Sequence, residues 1–252
     1  MNKLELKEMW LVEEKKSFKG WKFSYLSGRW EEEKLPWSYK SRVLKYLNVN
    51  DTLLDMGTGG GEFVLSLGHS YINTTVTETW EPNVKICMEV LEPLGITVKK
   101  VFSDKKLPFE NNTFDIIINR HESYDVDEIK RILKGNGIFI TQQVGCKNNE
   151  ILSNLLIPNF IPRYPNLTLK NEVSKFQRKD FSVLYKEEYF PYLRFFDVGA
   201  IVYFAKIIEW EFPNFTVDKC FGQLLKLEEG LQAKGYVESI EHRFIIVAKN
   251  KK

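Results

Sequence analysis

Leu53-Leu54-Asp55-Met56-Gly57-Thr58-Gly59-Gly60-Gly61-Glu62 decides how the rest of the chain is read. The two leucines and Asp55 have the character of the end of a buried strand. The glycines predict a turn that lets backbone press against a ligand, and Glu62-Phe63-Val64-Leu65-Ser66-Leu67 opens a helix. Strand, glycine turn and helix in that order form the ligand-binding corner of a doubly wound α/β sheet. Asp55 then discriminates among ligands. A dinucleotide loop must hold a pyrophosphate, which a carboxylate at its mouth repels, whereas a ligand carrying an ammonium and a sulfonium is attracted. Glu62 also occupies the place of the third glycine of the dinucleotide pattern, and the lysine of a phosphate-cradling loop is absent.

Outward from this run, strands and helices alternate to about residue 145. Residues 52–56, 74–78, 96–101, 114–119 and 138–144 read as strands, and 62–68 and 126–133 as helices. A further helix carries Pro82 in its first turn, where proline is tolerated. Lys134-Gly135-Asn136-Gly137 reads as a turn before the fifth strand. Such alternation with short connections predicts a parallel, doubly wound sheet.

The flanks differ. Residues 1–50 hold Trp10, Trp21, Trp30 and Trp37, with Phe18, Phe23, Tyr25 and Tyr39 between them. Helical spacing is loose over 4–12 and clearer over 38–46, so the segment reads as an N-terminal helical and aromatic cap. Its aromatics either pack it onto the main domain or roof a ligand pocket, and Trp21 and Tyr25 are the candidates for the pocket. Residues 51–252 read as the main domain, with 146–235 as additions before the last strand. Within them, helices are expected over 149–156, 169–178, 201–208 and 217–234. A strand begins at Phe181, and the closing strand runs from His242 to Lys249.

Composition narrows the function classes. At 252 residues and 43% hydrophobic, the chain can bury a substantial core. No apolar stretch approaches a membrane span and no cleavable leader pattern is visible, so the expected location is cytoplasmic. Cys87, Cys146 and Cys220 are too few and too scattered for a disulfide framework or a zinc cluster. With only His69, His121 and His242, no metal site is expected. A net charge of +2 and no basic stripe disfavour a nucleic-acid substrate.

In doubly wound folds the ligand lies at the carboxyl ends of the strands. Asp55 and the glycine loop end the first strand. Glu78 ends the second, 21 positions after Gly57 (78 − 57), where an acidic side chain can accept both hydroxyls of a ribose. Ser103-Asp104 ends the third and suits an exocyclic amine. Asn119-Arg120-His121-Glu122 ends the fourth. Each piece alone is weak; their order and spacing together are specific.

On these residues the chain resembles the class I S-adenosylmethionine-dependent methyltransferases. The resemblance is carried by LLDMGTGGGEF at 53–63, TETW at 77–80, SDKKLPFENNTFDIIINRHE at 103–122 and RILKGNGIFITQQVG at 131–145. It is nearest to the methyltransferase-11 subgroup, and to a bacterial branch similar in NRHESYD (119–125) and FFDVGAIVYF (195–204). It spans roughly 45–145 and the chain's end, while 1–50 and 146–235 match only the branch.

The resemblance implies a Rossmann-like seven-stranded sheet with the last strand antiparallel, and S-adenosylmethionine as cofactor. It assigns the methionine part to Asp55, Gly57, Thr58 and Gly59, and the ribose to Glu78, with Thr79 and Trp80 beside the adenine. Ser103 and Asp104 would face the adenine amine, and Asn119, by its backbone, with Arg120 the amino-acid end. Three departures bear on substrate. The usual Leu-Lys-Pro-Gly-Gly turn reads Leu133-Lys134-Gly135-Asn136-Gly137. The Asp/Asn-Pro-Pro-Tyr signature of exocyclic-amine methylation is missing, as is the cysteine nucleophile of cytosine carbon-5 methylation.

Methyl transfer is an in-line displacement on an activated methyl, so positioning and desolvation can supply much of the catalysis. Where a base is used, His121 is the candidate, since an ordinary imidazole pKa of about 6.5 suits proton removal near neutrality. The bland alternative is a structural histidine lining the pocket. Glu122 could bind a cationic substrate, Arg120 a carboxylate, and Asp197 and Gln142-Gln143 are further substrate-side candidates. The expected acceptor is a small molecule. An RNA or protein methyltransferase of the same fold, or a non-catalytic adenosylmethionine binder, are the rivals, and a nicotinamide enzyme is opposed by Asp55 and Glu62.

Overall fold

The computed structural model describes residues 1–18 and 23–252, so Trp21 lies outside the described residues. In chain order the elements are α1 (Lys3–Glu14), β1 (Trp30–Glu32), α2 (Tyr39–Tyr46), β2 (Leu53–Met56), α3 (Glu62–Ser66), β3 (Thr74–Glu78), α4 (Glu81–Val90), β4 (Thr97–Lys100), β5 (Phe114–Arg120) and α5 (Val126–Ile132). There follow β6 (Leu133–Val144), α6 (Glu150–Leu156), α7 (Leu169–Arg178), β7 (Phe181–Tyr189), β8 (Tyr192–Phe195), α8 (Val198–Ile207), α9 (Val217–Lys234), β9 (Val237–Ile240) and β10 (Arg243–Asn250).

The chain divides into two compact units. One comprises Pro36–Val144, Thr168–Glu188 and Phe244–Lys252; the other comprises Met1–Leu35, Gly145–Leu167 and Tyr189–Arg243. The division does not fall at residue 50. Helix α2, which the sequence groups with the cap, is counted with the larger sheet.

The first unit is built on a seven-stranded sheet of order β4-β3-β2-β5-β6-β10-β7, a Rossmann-like mixed sheet with β10 as the antiparallel strand. Its central strands read as near-continuous apolar runs because both faces are covered. All four residues of β2 are buried, as are Ile116, Ile117 and Ile118 of β5. Strands β2 and β3 pair in parallel with Asp55 opposite Val76, and β2 and β5 with Asp55 opposite Ile118. This register brings Gly57, Glu78 and Arg120 to the same edge of the sheet, at the point where strand order reverses.

The residues expected to turn before the fifth strand are instead part of β6. Leu133 pairs with Phe114 and Ile138 with Ile116, so Lys134–Gly137 bulge out of the ladder. Asn136 takes a positive φ of 64° there. A bulge uses the same glycine and asparagine chemistry as a turn, which is why the sequence does not separate the two.

The second unit holds a three-stranded sheet of order β1-β8-β9 around helix α8. Every residue of α8 from Val198 to Ala205 is buried, as expected of a helix apolar all round. Trp10, Leu26, Phe195, Phe204, Phe212 and Leu224 pack into one core with it. Helix α8 starts three residues before the sequence reading because Asp197 caps it, accepting from Ala200 N at 2.7 Å. Helix α9 runs from the Thr216 cap to Gly235, whose φ of 81° ends it. Among the described residues, no helix is long and apolar enough to cross a membrane.

Candidate functional site

The glycine loop leaves β2 with positive φ at Gly57 (67°) and Gly59 (65°), and Gly61 (85°) opens α3. The backbone N–H groups of Gly57 and Thr58 donate to Thr77 O at 3.0 and 3.1 Å, tying the loop to β3. Any side chain at Gly57 would collide with Glu122, whose Cγ stands 2.6 Å from the position a Cβ would take. That glycine is required both by its backbone and by its neighbour.

Glu78 organises the loop from the end of β3. Its Oε2 accepts from Gly59 N at 2.9 Å, and its Oε1 accepts from Thr79 N at 2.8 Å and Trp80 N at 3.0 Å. Asn83 from α4 reaches the same carboxylate at 3.5 Å, and Cys87 donates to Gly59 O at 3.2 Å. Glu78 is buried, whereas the Trp80 ring, at 49%, is half open to solvent.

Asp55 is buried and accepts from Thr58 Oγ1 at 2.7 Å. Burial pushes its carboxyl up to about 7; Thr58 and Arg120 oppose the rise, and Glu78 adds to it. Glu122 is likewise raised, first by burial and then by Asp104 and Glu78, against the opposing bonds from Ser123. Burial also pushes the Cys87 thiol up to about 11, with Glu78, Asp55 and Glu62 adding to it. Asp55, Glu62, Glu78, Asp104 and Glu122 thus share one electrostatic neighbourhood. The cation felt by Asp55 is Arg120, whose guanidinium lies 4.9 Å from the centre of the Phe63 ring.

The other strand ends lie along the same edge of the sheet. Asp104 accepts from Ser123 Oγ, which ties the end of β4 to the loop after β5, and Ser103 Oγ accepts from Lys105 N at 3.2 Å. Asn119 is fully buried. Its backbone faces a side chain the sequence reading did not assign to the site: Tyr39 Oη donates to Asn119 O at 3.0 Å and accepts from Asn119 N at 3.1 Å. Its Oδ1 accepts from Thr141 Oγ1 and Gln143 Nε2 at 3.0 and 2.7 Å. The ring of Tyr39 lies 5.1 Å from that of Phe63.

His121 takes φ 62° and its backbone N donates to Gln142 O at 2.9 Å. Its Nε2 lies 3.2 Å from Gln142 Nε2, and Gln142 Oε1 accepts from Trp37 Nε1 at 2.8 Å. Glu122 Oε1 accepts from Ser123 N at 2.9 Å, a local turn contact. Trp37, Tyr39, Phe63 and Asn83 complete this constellation. For Trp37 and Tyr39 the one sequence signal is the aromatic density before residue 40.

Tyr25 and Asp197 are not brought to this crevice's unit. They share a cluster in the other one, where Tyr25 Oη donates to Glu13 at 2.9 Å and Asp197 pairs with Arg29 at 2.5 Å. Arg29 also reaches Glu13 at 3.3 Å and lies 5.0 Å from the Tyr25 ring. His242 is engaged there too, accepting from Lys147 N at 3.2 Å and stacking on Phe190.

Elsewhere in the larger unit, a cavity of about 250 Å³ is lined by Tyr124, Asp127, Glu172, Lys175 and Lys179 among others. Those groups saturate one another: Tyr124 Oη and Lys175 Nζ both bond to Glu172, and Lys179 pairs with Asp127. Among the described residues, no group of three or more His, Cys, Asp or Glu could hold a metal ion.

Residues 54–141 match a family described as a methyltransferase domain, Methyltransf_11. The chain has no match among the curated proteins. In solved structures, it is similar to the YcgJ protein of Bacillus subtilis, with 16% identity, a TM-score of 0.56 and coverage of 85% of this chain and 98% of the other. It is similar to a putative methyltransferase of Bacillus halodurans, with 15% identity, a TM-score of 0.56 and coverage of 84% and 99%. The same fold is found in the [4+2]-cyclase SpnF, with 15% identity, a TM-score of 0.50 and coverage of 84% and 80%. At such identities the structures speak to the fold, and it is the sequence match that marks residues 54–141 as a methyltransferase domain.

Proposed function

We propose that the protein binds S-adenosylmethionine at the carboxyl ends of β2, β3 and β5 and transfers its methyl group to a small-molecule acceptor. One observation carries the reading: the carboxylates of Asp55 and Glu78 are buried at a glycine loop, with Glu122 packed against Gly57. That environment favours an ammonium and a sulfonium and repels a phosphate. In this reading Asp55, Gly57, Thr58 and Gly59 hold the methionine part and Glu78 the ribose, with Thr79 beside the adenine. Ser103 and Asp104 take the adenine edge, while Asn119 and Arg120 take the amino-acid end.

When bound, S-adenosylmethionine supplies a methyl group already activated on sulfur. The chain's own residues position and desolvate. Glu78, fixed by three backbone N–H groups, is set before any ligand arrives, so little ordering cost remains. Asp55 gains its charge as a cation arrives. His121 and Glu122, on the loop after β5, are assigned to the acceptor side. The second reading is adenosylmethionine binding without methyl transfer; a fold shared with a [4+2]-cyclase is not tied to one reaction.

Calorimetry tests the proposal. S-adenosylmethionine and S-adenosylhomocysteine should both bind at one site, whereas a nicotinamide dinucleotide should not. No heat and no thermal shift with either adenosyl ligand would sink it. Binding without turnover across a panel of small-molecule acceptors would favour the non-catalytic reading.

A further inference from the structure

Glu122 reaches the glycine loop from the acceptor side. The chain turns at the end of β5, where His121 takes a φ of 62°. Two buried amides hold the backbone beyond the turn. Gln143 Nε2 donates to Glu122 O at 2.9 Å, and Asn119 Nδ2 donates to Ser123 O at 3.3 Å. The same Gln143 Nε2 donates to Asn119 Oδ1 at 2.7 Å, which joins the two amides. A buried polar network whose members are met is rigid, so β5 and β6 fix this turn before any ligand arrives. Held in this way, the Glu122 side chain lies along Gly57. Its Cγ stands 2.6 Å and its Oε2 3.0 Å from the point a Gly57 Cβ would take, so the bare glycine is what admits the carboxylate. Burial works against the charge of Glu122, and the Ser123 N–H supports it. Asp104 and Glu78, of its own sign, add to the opposition. A positive charge brought to the loop relieves that opposition.

From this placement we infer that Glu122 is a specificity-determining residue that distinguishes the charged donor, S-adenosylmethionine, from its spent form, S-adenosylhomocysteine. The inference rests on the glycine loop being the seat of the methionine part, as proposed above. On transfer the bond from methyl to sulfur breaks and its electron pair stays on sulfur. A lone pair of the acceptor forms the new bond, and the positive charge leaves with the methyl. Donor and product then differ by a methyl group and one charge, while their ammonium and carboxylate are the same. A carboxylate held on the loop attracts the sulfonium and has no such hold on the neutral thioether. Glu122 thus favours entry of the donor and release of the product.

Calorimetry on the full chain with both ligands tests the inference. Glu122→Gln keeps the shape of the side chain and removes its charge. Affinity for S-adenosylmethionine should fall about tenfold, and affinity for S-adenosylhomocysteine should stay within about twofold. An unchanged ratio of the two affinities, or equal losses for both ligands, overturns the inference. Should the variant not fold, the wild-type protein decides. As the pH falls from about 8 to about 5, Glu122 takes up a proton, and the donor's advantage over the product should shrink with it. Asp55 cancels from that ratio, because it is assigned to the ammonium that both ligands carry. A ratio that stays flat overturns the inference. Failure of either ratio test with both ligands still bound leaves the functional reading standing; a folded wild-type protein that binds neither ligand overturns the functional reading itself.

Discussion

Both units bury carboxylates, and they treat them differently. In the unit with the three-stranded sheet, Glu211 accepts from Asn148 and Asn149 at 2.6 and 2.8 Å, and Glu241 pairs with Arg243. Side chains of opposite polarity answer each acid from within the unit. In the unit with the seven-stranded sheet, Asp55 meets a threonine hydroxyl and Glu78 meets backbone N–H groups, while further carboxylates stand around them. Buried acids answered by amides and arginine serve the fold. Glu241 also feels Glu32 and Glu211, and Asp55 also feels Arg120, so what sets the second group apart is the glycine loop beside it, where the proposed reading places a cation.

The largest test of that contrast is Glu78→Ala. It removes the expected ribose acceptor and the anchor of Gly59, Thr79 and Trp80. Cofactor binding should weaken by about 3 kcal/mol, roughly a hundred-fold in Kd. Calorimetry that finds the affinity unchanged would place Glu78 with the structural acids. Glu211→Ala should do the opposite. It leaves the Asn148 and Asn149 amides unmet and should cost about 2 kcal/mol in urea unfolding, with S-adenosylhomocysteine affinity intact.

The smallest expected effect is in pH. Asp55 and Glu241 are both pushed up to about 7, each chiefly by burial, so the native chain holds protons that the unfolded chain has released. Their contribution to stability is present below about pH 4 and is lost as the pH rises through 7. The ligand-free protein should therefore melt higher at pH 5 than at pH 8. A bound cation favours ionised Asp55, so S-adenosylhomocysteine, through its ammonium, should bind about tenfold tighter at pH 8 than at pH 6. Binding at pH 6 should release protons in calorimetry run in buffers of different ionisation heat. A flat pH dependence would mean that Asp55 does not meet the ligand.

The same contrast governs what the sequence disclosed. The alternation from β2 to β6, the Glu78 spacing and the long helix Val217–Lys234 follow from local patterns of period 2 and 3.6, and they are legible in order. Strands Trp30–Glu32, Tyr192–Phe195 and Val237–Ile240 are three or four residues long and half polar, too short for a period to declare itself. The Asp197 cap had a local signal, an acidic residue just before an apolar run, but a substrate role competed for it. The Tyr39–Asn119 and Trp37–Gln142 bonds join residues 80 and 105 positions apart, so nothing local could announce them. The ligand loop is written in consecutive residues, whereas its supports are assembled by the fold.

The place of β10 in the sheet has a consequence for the birth of the protein. It lies between β6 and β7, yet it is synthesised after both of them. Strand β7 reaches the sheet only through it, so Phe181–Tyr189 must wait, unpaired, while residues 190–242 are made. Until then the nascent sheet shows a raw edge at β6, and β7 is a second strand seeking a partner, both open to pairing between chains. Synthesis that stalls before residue 243 would leave both edges exposed, and the eight-residue strand β10 is the stitch that closes them.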